Sequence, residues 1–184
     1  CIPKLFCAMG DVTFRAATKA DIEALHAVVE RAYRGASAKA GWTHEADLLD
    51  GQRTDIQELT DIIADKDQMI TLAFANGDLV GCVNVSNKGD GRGYLGMLTV
   101  DPQRQAGGLG RRLIEAAEQG AVSDFGAGVM EMTVIAQRKE LIAYYERRGY
   151  VLMSETRPFP LHDPRFGDAK RDDLYFVVME KPLG

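Results

Sequence analysis

The sequence predicts an α/β domain built on a mixed sheet, and three observations lead there. Strand-like and helix-like segments alternate through the second half of the chain. An Asn76-Gly77-Asp78 turn joins two apolar, β-prone runs. A glycine-rich stretch connects a strand pattern directly to a helical one. At 184 residues the chain is most simply one domain, long enough to bury a sizeable core. Residues 1–10 read as an upstream extension or cloning remnant, with Met9 a natural start, and residues 11–184 as the domain.

Each element has a local reason. Residues 12–16 alternate as a short strand. Thr18-Lys19-Ala20-Asp21 forms a capping box with Asp in the acidic place, and Ile22, Leu25, Val29 and Ala32 follow at helical spacing to Tyr33. Residues 34–42, rich in Gly, Ala and Ser, read as a loop. Residues 45–50 and 55–64 read as two short helical pieces separated by Gly51. Strands are expected at 68–74 and 79–86, joined by the Asn-Gly turn because both residues tolerate positive φ. Residues 87–91 read as a second turn and 93–100 as the next strand. A helix over 109–122 should bury Leu109, Leu113, Ala116, Ala117 and Ala121 and expose Arg111, Arg112, Glu115, Glu118 and Gln119, with 123–128 breaking it. Then come a strand at 129–135, a helix at 140–148 closed by Gly149, a strand at 150–153, a long loop at 156–171 and a closing strand at 174–179.

Bulk properties remove several function classes. A net charge of −5 argues against a nucleic-acid-binding surface. No apolar run approaches the ~20 residues of a membrane helix, so no membrane partner is expected. The three cysteines are odd in number and lack zinc spacing, which points to no metal and to a reduced, cytoplasmic setting. Cys82, inside an apolar strand pattern, reads as a buried thiol rather than a nucleophile.

The chemistry concentrates in Gln105-Ala106-Gly107-Gly108-Leu109-Gly110-Arg111-Arg112. A glycine-rich turn between strand and helix presents backbone N–H groups at the positive end of the helix dipole, a seat for phosphate. A Walker loop would need Lys-Ser/Thr where Arg111-Arg112 stand, and the dinucleotide fingerprint is incomplete. Gln105-x-x-Gly108-x-Gly110 resembles the Q/R-x-x-G-x-G/A signature of the GCN5-related N-acetyltransferases (GNAT). The run Ala143-Tyr144-Tyr145-Glu146-Arg147-Arg148-Gly149-Tyr150 resembles that family's later signature. The alternative for the first motif is a tight turn without a ligand, and for Tyr145 a plain core aromatic with Tyr144 equally placed.

The resemblance implies a mostly antiparallel sheet flanked by helices and splayed between residues 93–100 and 129–135 to admit acetyl-CoA. It implies backbone contacts from Leu98, Thr99 and Val100 to the pantetheine arm, with the Leu98 N–H also a donor to the thioester oxygen. The amides of Gln105, Ala106, Gly107, Gly108, Leu109, Gly110 and Arg111 would hold the pyrophosphate. Tyr145 would return a proton to the departing thiolate, a role suited to a phenol (pKa ~10) facing a thiol (pKa ~8.5). Arg138 stands where relatives carry Asn beside the pantetheine. Relatives often place a glutamate base on the strand at 93–100; Gly96 and Met97 occupy those places here, leaving Glu131 or a water as candidates. Acceptor contacts are expected from Tyr33, Trp42 and His44 and from Arg157 and Phe159, the last two as a lid. The expected function is acetyl transfer from acetyl-CoA, without metal, to a primary amine of a small molecule or peptide in a ternary complex. A homodimer is a frequent assembly for the family. Two other readings stay open: a non-catalytic acyl-CoA-binding module, and a nucleotide-binding protein unrelated to CoA.

Overall fold

The computed structural model describes residues 12–33, 49–50, 54–160, 168–170 and 172–184. The strands are β1 (Val12–Ala16), β2 (Leu49–Asp50), β3 (Gln68–Ala75), β4 (Asp78–Gly89), β5 (Arg92–Val100), β6 (Val129–Ile135), β7 (Val151–Pro158), β8 (Asp168–Ala169) and β9 (Tyr175–Pro182). The helices are α1 (Ile22–Tyr33), α2 (Ile56–Ala64), α3 (Leu109–Phe125) and α4 (Lys139–Arg147), with single 3₁₀ turns before α1 and before α3. Seven strands form one sheet in the order β1-β3-β4-β5-β6-β9-β7, while β2 pairs with β8. Every pairing is antiparallel except β5 with β6. The α/β class and the mixed main sheet are as the sequence predicts, and the antiparallel bias is as the resemblance implies; the β2–β8 pair stands apart as a second, two-stranded sheet.

Each face of the sheet carries its own core. On one face α1 and α2 pack Leu25, Val29 and Leu59 against Ile70, Leu72, Cys82 and Met97. On the other, α3 and α4 pack Leu113, Ile114, Ala117 and Tyr145 against Val83, Leu98, Met130 and Met179. The apolar rows at helical spacing in α1 and α3 are what these faces bury. Gly81 lets α3 descend close to β4 and β5: a Cβ there would lie 2.6 Å from the Thr99 carbonyl oxygen and 2.9 Å from Leu113 Cδ1. Glu118 of α3 ties this layer to the far strands, accepting from the Tyr150 hydroxyl at 3.1 Å and pairing with Lys181 at 2.9 Å.

Local chemistry sets the boundaries. The Thr18 N–H donates to Asp21 at 2.8 Å, the acidic half of the predicted capping box, and Arg15 pairs with the same carboxylate at 2.8 Å. Asp55 caps α2, accepting from the Glu58 N–H at 2.7 Å. Asn76 and Gly77 take φ of 53° and 83° in the β3–β4 turn. Gly149, at φ 97°, ends α4.

Several expectations are corrected. Of the helix expected over 45–50, residues 49–50 pair as β2 and the rest lie outside the described residues. The second turn shrinks to Asp90 and Gly91, because β4 extends to Gly89. Helix α3 runs to Phe125, since the αL cap is Gly126, not the polar run at 123–124. Ile114 is buried where Ala116 was expected, and Arg112 and Glu118 are half-buried rather than exposed. Strand β7 continues to Pro158, so Thr156 and Arg157 belong to the sheet, paired with Val177 and Phe176, and not to a loop.

Candidate active site

The site begins where two strands part. β5 and β6 pair only through Arg92↔Val129, Gly93↔Met130 and Tyr94↔Glu131. Just beyond, the hydroxyls of Tyr94 and Thr133 share a 2.5 Å hydrogen bond between the two strands. Further along, no ladder forms. A cavity of about 980 Å³ lies there, walled by Leu95–Leu98 of β5 on one side and Met132–Ile135 of β6 on the other. This is the splay that the resemblance implied.

A bulge in β5 shapes its floor. Cys82 pairs with Thr99 and Asn84 with Gly96, so Val83 faces both Met97 and Leu98. Met97 takes φ of 52°, uncommon for a residue with a side chain. Polar contacts hold this geometry. The Met97 carbonyl accepts from the Thr99 hydroxyl at 3.0 Å and from the Cys82 thiol at 3.7 Å. The Leu98 carbonyl accepts from the Tyr33 hydroxyl, the last residue of α1. In a planar trans peptide N–H and C=O point opposite ways, so the Leu98 N–H is directed away from Thr99 and Cys82. Cys82 is fully buried in this framework.

The cavity gathers residues from both faces of the sheet. Tyr33 comes from the α1 side, and Arg138, Leu141 and Tyr145 from α4 on the other. Tyr145 is buried, with its ring edge-on to Tyr144 and Tyr150 at 5.7 and 6.0 Å. Burial pushes its phenol well above the ordinary tyrosine range; Tyr33 adds to the shift and Arg138 opposes it. The phenol is therefore held protonated. Tyr144, left equivalent by the sequence, is half-buried, under the guanidinium of Arg148 at 5.3 Å, and is not part of the cavity wall. Arg138 stands at the N-cap of α4.

The glycine-rich stretch follows β5 directly. Gln105, Ala106 and Gly107 lie in the 3₁₀ turn Pro102–Gly107; Gly108 takes φ of 71° and α3 starts at Leu109. No acidic residue occupies the first turn of α3, the end at which an α-helix leaves its first N–H groups without intrahelical partners. Thr99 and Val100, at the end of β5, are fully buried. Arg111 pairs with Glu115 at 3.0 Å on the surface, and Arg112 lies over the Phe14 ring at 5.2 Å, so neither is merely solvated.

Other predicted residues fare differently. Arg157 and Phe159 both line the cavity. Phe159 is nonetheless a core residue, packed with Ile135 and Leu174 and 5.2 Å from the Phe176 ring. Arg157 pairs with Glu131 at 2.7 Å and Glu155 at 2.9 Å. Glu131 also pairs with Arg92 at 3.2 Å and does not line the cavity, which makes it a poor proton acceptor for the reaction. His26 rests 3.3 Å from the Thr54 carbonyl. Trp42, His44 and His162 lie outside the described residues. Sequence reasoning missed Gln68, Asn84 and Ser86, which also line the cavity. Their signal was present: Asn84 and Ser86 are polar residues two apart in an otherwise apolar strand, which puts them on one face.

Among the described residues no helix is long and apolar enough to cross a membrane. Residues 23–150 match the model of the acetyltransferase (GNAT) family. No curated protein is matched by sequence. Solved structures similar in fold include the ribosomal-protein-S18-alanine N-acetyltransferase of Escherichia coli, 18% identical, covering 95% of each chain with a TM-score of 0.69. A GNAT-family acetyltransferase of Streptococcus pneumoniae is 20% identical, with 95% of this chain and 100% of that one covered and a TM-score of 0.65. An acetyltransferase of Salmonella typhimurium, solved with its cofactor acetyl-CoA, is 20% identical, covers 94% of each chain and has a TM-score of 0.66.

Proposed function

Given that the chain belongs to the GNAT acetyltransferase family, we propose that it transfers an acetyl group from acetyl-CoA directly to a primary amine of a small molecule or peptide. One observation carries this reading: a single cavity at the β5–β6 splay is lined by both the Leu98 bulge and the buried phenol of Tyr145. The residues present fit acetyl-CoA. Among the described residues β5 pairs with β6 only as far as Tyr94, which suits the backbone of Leu98, Thr99 and Val100 to a pantetheine arm laid along the strand. The α3 N-terminus, entered through Gly108, suits a pyrophosphate on the amides of residues 105–111. Arg138 would add a charged donor beside the arm.

The acceptor nitrogen bonds the thioester carbon, the C–S bond breaks, the nitrogen releases its extra proton to solvent, and the thiolate gains one. The Leu98 N–H donates to the carbonyl oxygen as negative charge builds there, a contribution of about 3–4 kcal/mol for one aligned donor. Tyr145 supplies the proton, or a hydrogen bond, to the sulfur. Tyr33 holds the Leu98 carbonyl and so keeps the bulge in shape.

Thiol release from acetyl-CoA, measured across a panel of amines with purified protein, tests the reading. Turnover with at least one primary amine is expected. CoA binding without thiol release from any of them would identify a non-catalytic acyl-CoA-binding module instead, and stabilisation by ATP or NAD but not by CoA would remove the CoA assignment.

A further inference from the structure

An ion-pair network runs beside the cavity and turns a cation toward it. Met130, Met132 and Val134 of β6 pack under α3 and α4, so Glu131, Thr133 and Ile135 point to the other face of the sheet. Phe176 is the strand partner of Ile135, and Arg157 that of Phe176, which puts Arg157 on the same face as Glu131. There Glu131 lies between two guanidiniums, Arg157 at 2.7 Å and Arg92 at 3.2 Å. Arg92 also pairs with Glu180 at 2.8 Å, and Arg157 with Glu155 at 2.9 Å. Of these five groups Arg157 alone lines the cavity.

Its guanidinium is held but not used up. Glu131 is buried and fixes where the group lies. Glu155 is exposed, and its pair with Arg157 is of the weak, solvent-screened kind that another carboxylate can replace. Both contacts fall on Nη2. Nε and Nη1 carry the remaining N–H donors and have no partner among the described residues. The Arg157 side chain keeps 39% of its surface open, against 12% for Glu131, so a solute in the cavity can reach it. A fixed guanidinium of this kind suits a carboxylate, and the nearby Glu131 and Glu155 disfavour a doubly charged phosphate. The far end of the cavity repels a carboxylate: it carries Glu58 and Asp61 of α2 and Asp65 just after it, beside Asn84 and Ser86 of β4. Lys88 also lines the cavity, with its ammonium 5.0 Å over the Tyr94 ring.

Resting on the acetyl-transfer reading, we propose that the acceptor is an amino acid whose amine attacks between Leu98 and Tyr145 while its carboxylate lies on Nε and Nη1 of Arg157. Tyr145 enters the cavity from the α4 side of the sheet and Arg157 from the opposite face, so this anchor holds the acceptor on the side away from the phenol. Ile135, Phe159 and Phe176 line the cavity as apolar contacts for the rest of the molecule.

The experiment compares α-amino acids with apolar side chains, and ω-amino acids of three to six carbons, each with its primary amide, which keeps the shape and removes the charge. Each compound is titrated into the CoA-bound protein by calorimetry and assayed for thiol release with acetyl-CoA. At least one amino acid should exceed its amide by tenfold or more in kcat/KM. Arg157→Gln should cut that preference at least fivefold, Arg157→Lys should retain part of it, and Glu131→Gln should lower it by raising the KM for the amino acid more than it lowers kcat. Equal use of acid and amide, or a preference for the amide, overturns the carboxylate anchor while acetyl transfer stands. A preference that survives Arg157→Gln and is lost in Lys88→Gln overturns the assignment to Arg157. Amino-acid binding that Arg157→Gln weakens, with no thiol released from any amine, overturns the transfer reading while the anchor stands. Neither binding nor turnover overturns both.

Discussion

At the scale of single residues, Tyr145 and Tyr33 do different work on one cavity. Tyr145→Phe removes a proton donor without removing volume, so kcat should fall roughly 10²-fold while the KM for acetyl-CoA changes little; steady-state kinetics with a turned-over amine checks this. Because burial raises the Tyr145 phenol, it remains protonated beyond the pH at which a free tyrosine would ionise. Activity of the native protein should therefore show no alkaline loss attributable to Tyr145 below pH ~10. A fall near pH 9 that vanishes in Tyr145→Phe would contradict the structure. Tyr33→Phe strands the Leu98 carbonyl instead. It should lower stability by about 1–3 kcal/mol and reduce kcat as the bulge relaxes, read by thermal melts and kinetics together.

Among the elements, the entry to α1 carries a pH dependence. Asp21 sits well below the ordinary carboxyl range, first because of the Arg15 guanidinium and then through bonds from Thr18, against an opposing effect of partial burial. Its folded pKa is thus depressed. The stability it supplies is complete above the unfolded value of ~3.9 and fades as pH falls below that. Asp21→Asn should lower Tm at neutral pH and flatten the loss of Tm on acidification, measured by calorimetry between pH 2 and 7. The contact of α3 with the sheet gives a second expectation: Gly81→Ala should cost about 1–3 kcal/mol, because the new methyl meets the Thr99 carbonyl oxygen, which cannot yield easily.

These elements also show what the sequence discloses and what it hides. The β3–β4 hairpin, α1, β6 and α4 were legible because their signals are local: an Asn-Gly turn, a capping box, an apolar strand, a closing glycine. The end of α3 was not, because Ser123-Asp124 reads as a breaker while Gly126 does the capping. The β5 bulge was invisible, since it arises from pairing with β4. Tyr145 came from a motif and Leu98 from what the resemblance implies, and the structure brings them to one cavity. Glu131 looked available as a base only because its partners, Arg92 and Arg157, are far away in sequence. The acidic end of the cavity likewise joins α2 to β4, a juxtaposition no motif encodes.

For the whole molecule, the sheet separates two cores and the splay is where they communicate. A ligand bound there braces both layers against unfolding. CoA at 100 times its Kd should add about 2.7 kcal/mol, or roughly 5–10 °C in Tm for a chain of this size, read by thermal shift. The cavity draws its lining from opposite faces, with Tyr145 and Arg138 on one and Tyr33 and the α2 carboxylates on the other. Two substrates reaching it from opposite sides need not displace each other, and the thiol of Cys82, fully buried in the framework of the bulge, is not placed to hold the acyl group in transit. Double-reciprocal plots should therefore intersect rather than run parallel. A thiol-free CoA analogue should act as a dead-end inhibitor that competes with the acyl donor but not with the amine.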